Sequence, residues 1–117
     1  MPNLKDVVQD IAGRPGVQAV VVLSADGLAI EQVSRDAFDA DSLAALTATV
    51  VQYAGRLGLG ANVGTLRTAV LEYERALLVI AQLATGECLA VVAPSGTDVG
   101  SLLYDLRKHR PALAALF

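Results

Sequence analysis

The chain has 117 residues, of which 54% are hydrophobic and 18% are charged, and its formal net charge is −3. This length suits one domain with a single core, so we expect residues 1–117 to form one compact unit. So apolar a composition favours burial of surface between copies of the chain. The alternative is a monomer that exposes many of its Ala and Val side chains.

Charge and cysteine usage argue against several classes of protein. Lys and Arg are scattered singly except near residues 107–110, so we expect no nucleic-acid partner. The single Cys88 cannot form an intramolecular disulfide or a zinc cage, which favours a cytoplasmic setting. No signal-peptide pattern is present and no run approaches 18 apolar residues, so we also expect no direct membrane insertion.

The first third of the chain predicts a helix followed by a β-hairpin. Asn3 and Asp6 have the spacing of a capping box, and the apolar residues after them recur at helical intervals. Residues 17–23 and 28–33 then form two extended runs separated by a turn. Gly27, preceded by Asp, can adopt a positive φ there and predicts a tight turn with a bulge.

A long helix is predicted next, beginning after Asp36 or Asp39 and ending near Gly58 and Gly60. Its central residues 42–55 carry no formal charge, and its apolar positions form two stripes about 140° apart. The large stripe consists of Leu43, Leu46, Val50, Tyr53, Ala54 and Leu57. The small stripe consists of Ala44, Ala48, Val51, Gly55 and Gly58.

Small side chains allow another helix backbone to approach closely. We therefore interpret Leu43, Leu46, Val50 and Leu57 as the residues that hold the helix on its own fold. The small stripe is then expected to face another chain.

The rest of the chain predicts three strands, at residues 65–73, 76–83 and 88–93, and a last helix capped by Thr97 or Asp98. Pro111 is expected to kink or end that helix. The order of elements is therefore α-β-β-α-β-β-β-α, with helices on the faces of an antiparallel sheet, which is an α+β fold.

No residue pattern indicates catalysis, a cofactor or a metal site. The glycine-rich residues 58–64 leave a helix and enter a strand, whereas a phosphate-binding glycine loop enters a helix. His109 is the only imidazole and lies among basic residues at a helix end, so neither a nucleophilic triad nor a Cys-His pair can be assembled. Arg56 is the best candidate to act in trans on a GTPase, although an ordinary surface role is favoured for any single Arg.

The hairpin sequence of residues 20–28, the uncharged central helix, the final strand of residues 89–92 and residues 97–100 before the last helix together resemble the Roadblock family. That family includes the Roadblock dynein light chains and the bacterial GTPase-activating partners of gliding-motility and polarity GTPases. Profilin-like and longin-like sensor domains share the general sandwich.

The resemblance implies a five-stranded antiparallel sheet with the long helix on one face and the N- and C-terminal helices on the other. It also implies dimers that join their sheets through the third strand and place the two central helices side by side as a platform for a small Ras-like GTPase. In this chain the third strand is the run of residues 65–73.

Our leading hypothesis is a homodimeric, non-enzymatic regulatory adaptor whose partners are a second copy of itself and a small Ras-like GTPase. Ala45 belongs to the outer helix face that a third protein could touch. The residues expected at the dimer or partner interface are Ala44, Ala48, Thr49, Val51, Gln52, Gly55, Arg56, Thr65, Arg67 and Ala69. The alternative is a profilin-like or longin-like small-molecule sensor or scaffold domain.

Overall fold

The structure is a computed structural model, which describes residues 2–35 and 37–117. Its helices and strands follow one another in the predicted order. They are α1 (Leu4–Ala12), β1 (Ala19–Leu23), β2 (Ala29–Ser34), α2 (Ala40–Gly60), β3 (Thr68–Glu72), β4 (Ala76–Gln82), β5 (Cys88–Pro94) and α3 (Val99–Ala114).

The five strands form one sheet in the order β2-β1-β5-β4-β3, and every neighbouring pair is antiparallel. The chain-adjacent antiparallel pairs are β1-β2, β3-β4 and β4-β5, and β5 also pairs with β1 in the middle of the sheet. This leaves β2 and β3 as edge strands. The predicted α+β fold is therefore confirmed, including the placement of α2 on one face and of α1 and α3 on the other.

Large apolar side chains fill the space between the sheet and the two terminal helices. Val8 of α1 and Leu102, Leu106 and Leu113 of α3 are almost completely buried there against side chains of β1, β4 and β5. Arg14, just after α1, also forms an ion pair with Asp105 and donates hydrogen bonds to Ser101, both in α3. These contacts hold the two helices together over one face of the sheet.

The local signals at the helix starts are confirmed. Asn3 and Asp6 form the capping box of α1, because each side chain accepts a hydrogen bond from the backbone of the other residue. Asp39 caps α2 by accepting from the backbone N–H of Ser42. The alternative cap, Asp36, lies outside the described residues. Asp98 caps α3 in the same way as Asp39 caps α2.

Two element boundaries differ from those predicted. Of the two effects predicted for Pro111, ending the last helix is wrong, because α3 continues to Ala114 and its last turn buries Leu113 in the core, whereas a kink stays a prediction. The third strand is shorter than predicted, since β3 begins at Thr68 rather than Thr65. The preceding residues instead form a loop close to α2, where a Cβ on Gly58 would lie 2.9 Å from the carbonyl oxygen of Gly64.

Candidate partner-binding surface

The two stripes of α2 point in the directions opposite to those expected. Ala44 is 0% exposed and packs against the sheet together with the half-buried Ala48 and Val51. Leu46 is 63% exposed, Tyr53 61% and Leu57 74%. Val50 is exposed as well, so the expectation that Leu46, Val50 and Leu57 hold the helix on its fold is wrong, although Leu43 packs against the core as expected.

The reversal follows from how closely α2 approaches the β1-β2 turn. Gly27 has a φ of +89°, and a Cβ added there would lie 3.2 Å from the Cβ of Ala48 and 3.3 Å from the Cα of Ala45. Only small residues fit where a helix backbone comes this near to a turn. The small stripe thus allows a close approach, as predicted, but to the chain's own sheet.

Ala44 consequently has no surface to offer another chain, which corrects its assignment to an interface. Ala48, Val51 and Gly55 lie on the side of α2 that faces the sheet, and they are half-buried there. Four residues of the large stripe instead form an exposed apolar stripe along α2, and their spacing alone did not indicate that they face outwards. We define this apolar stripe as Leu46, Val50, Tyr53 and Leu57.

Beside the apolar stripe, α2 exposes a polar flank. We define the polar flank as Ala45, Thr49, Gln52 and Arg56, all of which are exposed. The guanidinium of Arg56 lies 5.3 Å from the centre of the Tyr53 ring, so a cation–π contact joins the flank to the stripe. Thr49 donates to the carbonyl of Ala45 one turn earlier.

A cleft of about 620 Å³ separates the polar flank from the β1-β2 and β4-β5 turns. Its lining includes Asp26, Gln52, Gln82 and the buried Cys88. Burial raises the pKa of the Cys88 thiol above its ordinary value, and the neighbouring Glu87 carboxylate raises it further. The thiol is therefore protonated at neutral pH and is not poised as a nucleophile.

The free edge of β3 lies beyond α2 on the same side of the domain. Thr65 and Arg67, predicted as interface residues, are exposed in the loop just before this strand, whereas Ala69 is half-buried in the strand and packs against the core beneath α2. Leu57 of the apolar stripe lines one cleft together with residues 63–68. The stripe and the strand edge are thus continuous at this end of the molecule.

The described residues show no grouping typical of a metal centre. Within residues 2–35 and 37–117, no three or more His, Cys, Asp and Glu side chains lie close enough together to hold an ion. The ring Nδ1 of His109 lies 2.8 Å from the carbonyl oxygen of Asp105 within α3, a contact internal to that helix. No helix in this part of the chain is long and apolar enough to cross a membrane.

A five-stranded antiparallel sheet with one helix on one face and two on the other, and with an exposed apolar stripe on the single helix, defines a small α+β domain. The family model of the Roadblock/LC7 domain matches residues 4–93. The chain therefore belongs to the Roadblock/LC7 family. No curated protein matches the sequence significantly.

Several solved structures resemble the domain over nearly its whole length. A Roadblock/LC7 domain from Streptomyces avermitilis is 29% identical, with 96% of this chain and 98% of that chain covered and a TM-score of 0.83. Myxococcus xanthus MglB is 20% identical, with 95% and 91% covered and a TM-score of 0.88. The gliding protein MglB from Thermus thermophilus is 17% identical, with 94% and 84% covered and a TM-score of 0.85.

Proposed function

We propose that this protein is a cytoplasmic, homodimeric and non-enzymatic regulatory adaptor that binds a small Ras-like GTPase and modulates its GTP hydrolysis. Membership of the Roadblock/LC7 family supports the regulatory adaptor role. The observation that carries the proposal is the apolar stripe, because four large apolar side chains stay exposed along one helix next to a free strand edge. Such a surface is typical of a protein that binds other proteins.

The apolar stripe and the edge of β3 are the proposed contact between two copies. Burying Leu46, Val50, Tyr53 and Leu57 against a second α2 removes apolar surface from water, at about 25 cal/mol for each Å². Pairing β3 with a second β3 uses main-chain groups that a monomer leaves to water. A two-fold axis satisfies both contacts at once, since each copy presents the same surface to the other.

The polar flank is the proposed contact with the GTPase. Once the apolar stripes of two copies meet, Thr49, Gln52 and Arg56 border the helix pair and remain accessible to a third protein. Their hydroxyl, amide and guanidinium groups suit the polar rim of a reversible interface. In this role the domain acts by fixing the switch loops of the GTPase rather than by supplying a reaction centre.

The dimer is tested by placing a charge in the apolar stripe. Leu57→Arg puts a cation where an apolar side chain meets the other copy, so size-exclusion chromatography with light scattering should give a dimer mass for the wild type and a monomer mass for the variant. The matched control is Leu28→Arg, because Leu28 is 65% exposed but precedes β2 and lies outside the apolar stripe. A Leu57→Arg variant that remains dimeric would show that the apolar stripe is not the contact.

GTPase binding is tested with small Ras-like GTPases from the same genome, each loaded with GDP or with a non-hydrolysable GTP analogue. We expect co-purification in the GTP-like state, a faster single-turnover GTP hydrolysis in the presence of the dimer, and weaker binding by Gln52→Ala. If Arg56→Ala leaves the stimulation unchanged, Arg56 is not an arginine finger. Absence of binding in both nucleotide states would refute the GTPase assignment while leaving the dimer intact.

A further inference from the structure

The hydrogen-bonding groups along the free edge of β3 can be assigned residue by residue. The carbonyl of Arg67 accepts from Gln82, and the N–H of Tyr73 donates to Ala76, so both residues point their backbone groups towards β4. In an antiparallel ladder these groups alternate along the strand. The N–H and C=O groups of Thr68, Val70 and Glu72 therefore point outwards, where a second strand can pair with them.

Two-fold pairing of β3 with a second β3 allows only a few registers, because one residue must lie opposite itself. With Val70 at the two-fold axis, Thr68 lies opposite the partner's Glu72 and all three outward-pointing residues of the strand exchange hydrogen bonds. With Ala69 or Leu71 at the axis, only two of those residues pair within the strand limits of Thr68–Glu72. The register centred on Val70 thus uses the whole edge.

Side-chain chemistry on the α2 face favours the same register. Alternation along the strand places Arg67, Ala69, Leu71 and Tyr73 on this face, and Ala69 and Leu71 indeed pack against the core beneath α2. Centring on Val70 puts Arg67 directly opposite the partner's Tyr73, which is 57% exposed, and allows a cation–π contact. Centring on Leu71 would instead put Arg67 opposite the partner's Arg75, and like charges in that position are destabilising.

A second contact follows at the end of the sheet where β3 begins. A cleft of about 1030 Å³ lies there, lined by Leu57 of α2 and Arg107 of α3 together with Arg67 and Thr68, and its described lining contains no carboxylate. Neither arginine forms an ion pair with the described residues. Because Thr68 lies opposite the partner's Glu72 in the Val70-centred register, that carboxylate would enter the cleft close to Arg107.

We propose that two copies of the chain join their β3 strands in a single register with Val70 opposite Val70. Arg67 favours this register by a cation–π contact with the partner's Tyr73, and Arg107 favours it by an ion pair with the partner's Glu72. The inference rests on the proposed homodimer and adds its register and specificity residues. The cleft at the start of β3 then binds the end of the partner's β3, and the two-fold axis gives each dimer two such contacts.

Cysteine cross-linking distinguishes the registers, since the native Cys88 is buried and can be replaced by Ser in every variant. Directly paired residues have Cα atoms about 4.5–5.5 Å apart, which is within disulfide range, whereas diagonal neighbours lie about 7–8 Å apart. We expect Val70→Cys to form a covalent dimer under mild oxidation. A mixture of Ala69→Cys and Leu71→Cys chains should cross-link to each other faster than either does to itself.

Faster self-cross-linking of Leu71→Cys or Ala69→Cys than of Val70→Cys would overturn the proposed register while leaving a β3-paired dimer. A chain that is dimeric by light scattering but is cross-linked by none of these variants would overturn pairing through β3 itself. A monomer at all concentrations would refute the homodimer, and the register with it.

Charge reversal tests whether Arg107 and the partner's Glu72 form an ion pair across the dimer. Arg107→Glu and Glu72→Arg should each weaken dimerisation about two- to fivefold, as expected for a partly exposed ion pair, and the double variant should recover most of the loss. Arg75→Glu is the control, because Arg75 faces no charge in the Val70-centred register. Tighter dimerisation of Arg75→Glu would instead indicate the Leu71-centred register, and a double variant no better than the singles would remove Arg107 from the contact.

Discussion

The two faces of the sheet are built differently. The face beneath α1 and α3 is closed by large side chains such as Leu102, Leu106 and Leu113, all almost fully buried. The other face is covered by one helix, which lies mainly over β1, β2 and β5 and contacts them through small residues. The first face therefore supplies most of the buried apolar surface of the monomer, whereas the second holds α2 close and leaves large apolar side chains exposed on its outer side.

The largest expected effect comes from a cavity in the core between the sheet and the two terminal helices. Leu106→Ala removes a side chain that is 2% exposed, and we expect the free energy of unfolding to fall by about 2–5 kcal/mol, measured by chemical denaturation. Leu28→Ala is the control, because that side chain is 65% exposed and its truncation should change stability by less than about 0.5 kcal/mol. Similar losses in both variants would contradict the division between the two faces.

Leu57→Ala tests the α2 face of the sheet, because Leu57 is exposed in the monomer but lies in the proposed dimer contact. Its effect on the melting temperature should be small at low protein concentration and larger at high concentration, since only the dimer loses contacts. Leu106→Ala should show a loss at every concentration. A loss for Leu57→Ala that does not depend on concentration would place Leu57 in the monomer core.

A smaller effect is expected where α2 meets the β1-β2 turn. Gly27→Ala adds a methyl group 3.2 Å from the Cβ of Ala48 and strains a backbone with a φ of +89°. Gly96→Ala carries nearly the same strain, at a φ of +85°, but meets open space. We expect Gly27→Ala to cost about 1–3 kcal/mol more than Gly96→Ala, because only the first pushes α2 away from the sheet. Equal losses of unfolding free energy in the two variants would show that the close approach of α2 to Gly27 does not contribute to stability.

The sequence predicts the order and type of every element because each depends on local signals. Capping residues such as Asn3 and Asp39, turn glycines and alternating apolar runs all act within a few positions of the chain. The Roadblock resemblance then supplied the arrangement of the helices on the two faces, which the structure and the family match confirm.

The direction in which α2 faces could not be predicted in this way. Residues 42–55 carry no formal charge to mark the solvated side, and size alone suggested that Leu46 and Leu57 would be inside. What decides the direction is the contact with Gly27, which is distant in sequence and requires small residues beneath the helix. Association involves a second molecule, so most of the interface assignments stay predictions. They are those of Ala48, Thr49, Val51, Gln52, Gly55, Arg56, Thr65, Arg67 and Ala69.

The smallest expected effect concerns Cys88, which lies beneath α2 on the less crowded face. Burial keeps the pKa of its thiol above the ordinary value of 9.0. Above that pH the unfolded chain releases a proton that the folded chain retains, so the free energy of unfolding should decrease as pH rises. Below it the thiol is protonated in both states, and its contribution to stability does not change with pH.

Cys88→Ala isolates this contribution, since the Tyr and Lys side chains titrate in both proteins. The difference in unfolding free energy between wild type and variant should be constant from about pH 6 to about pH 8 and should shift in favour of the variant above about pH 9. In parallel, an aromatic disulfide reagent should modify the wild-type thiol slowly until the protein is unfolded. If the difference in unfolding free energy does not depend on pH and the Cys88 thiol of the folded protein is modified rapidly, the thiol is accessible to solvent. In that case α2 does not cover this part of the sheet.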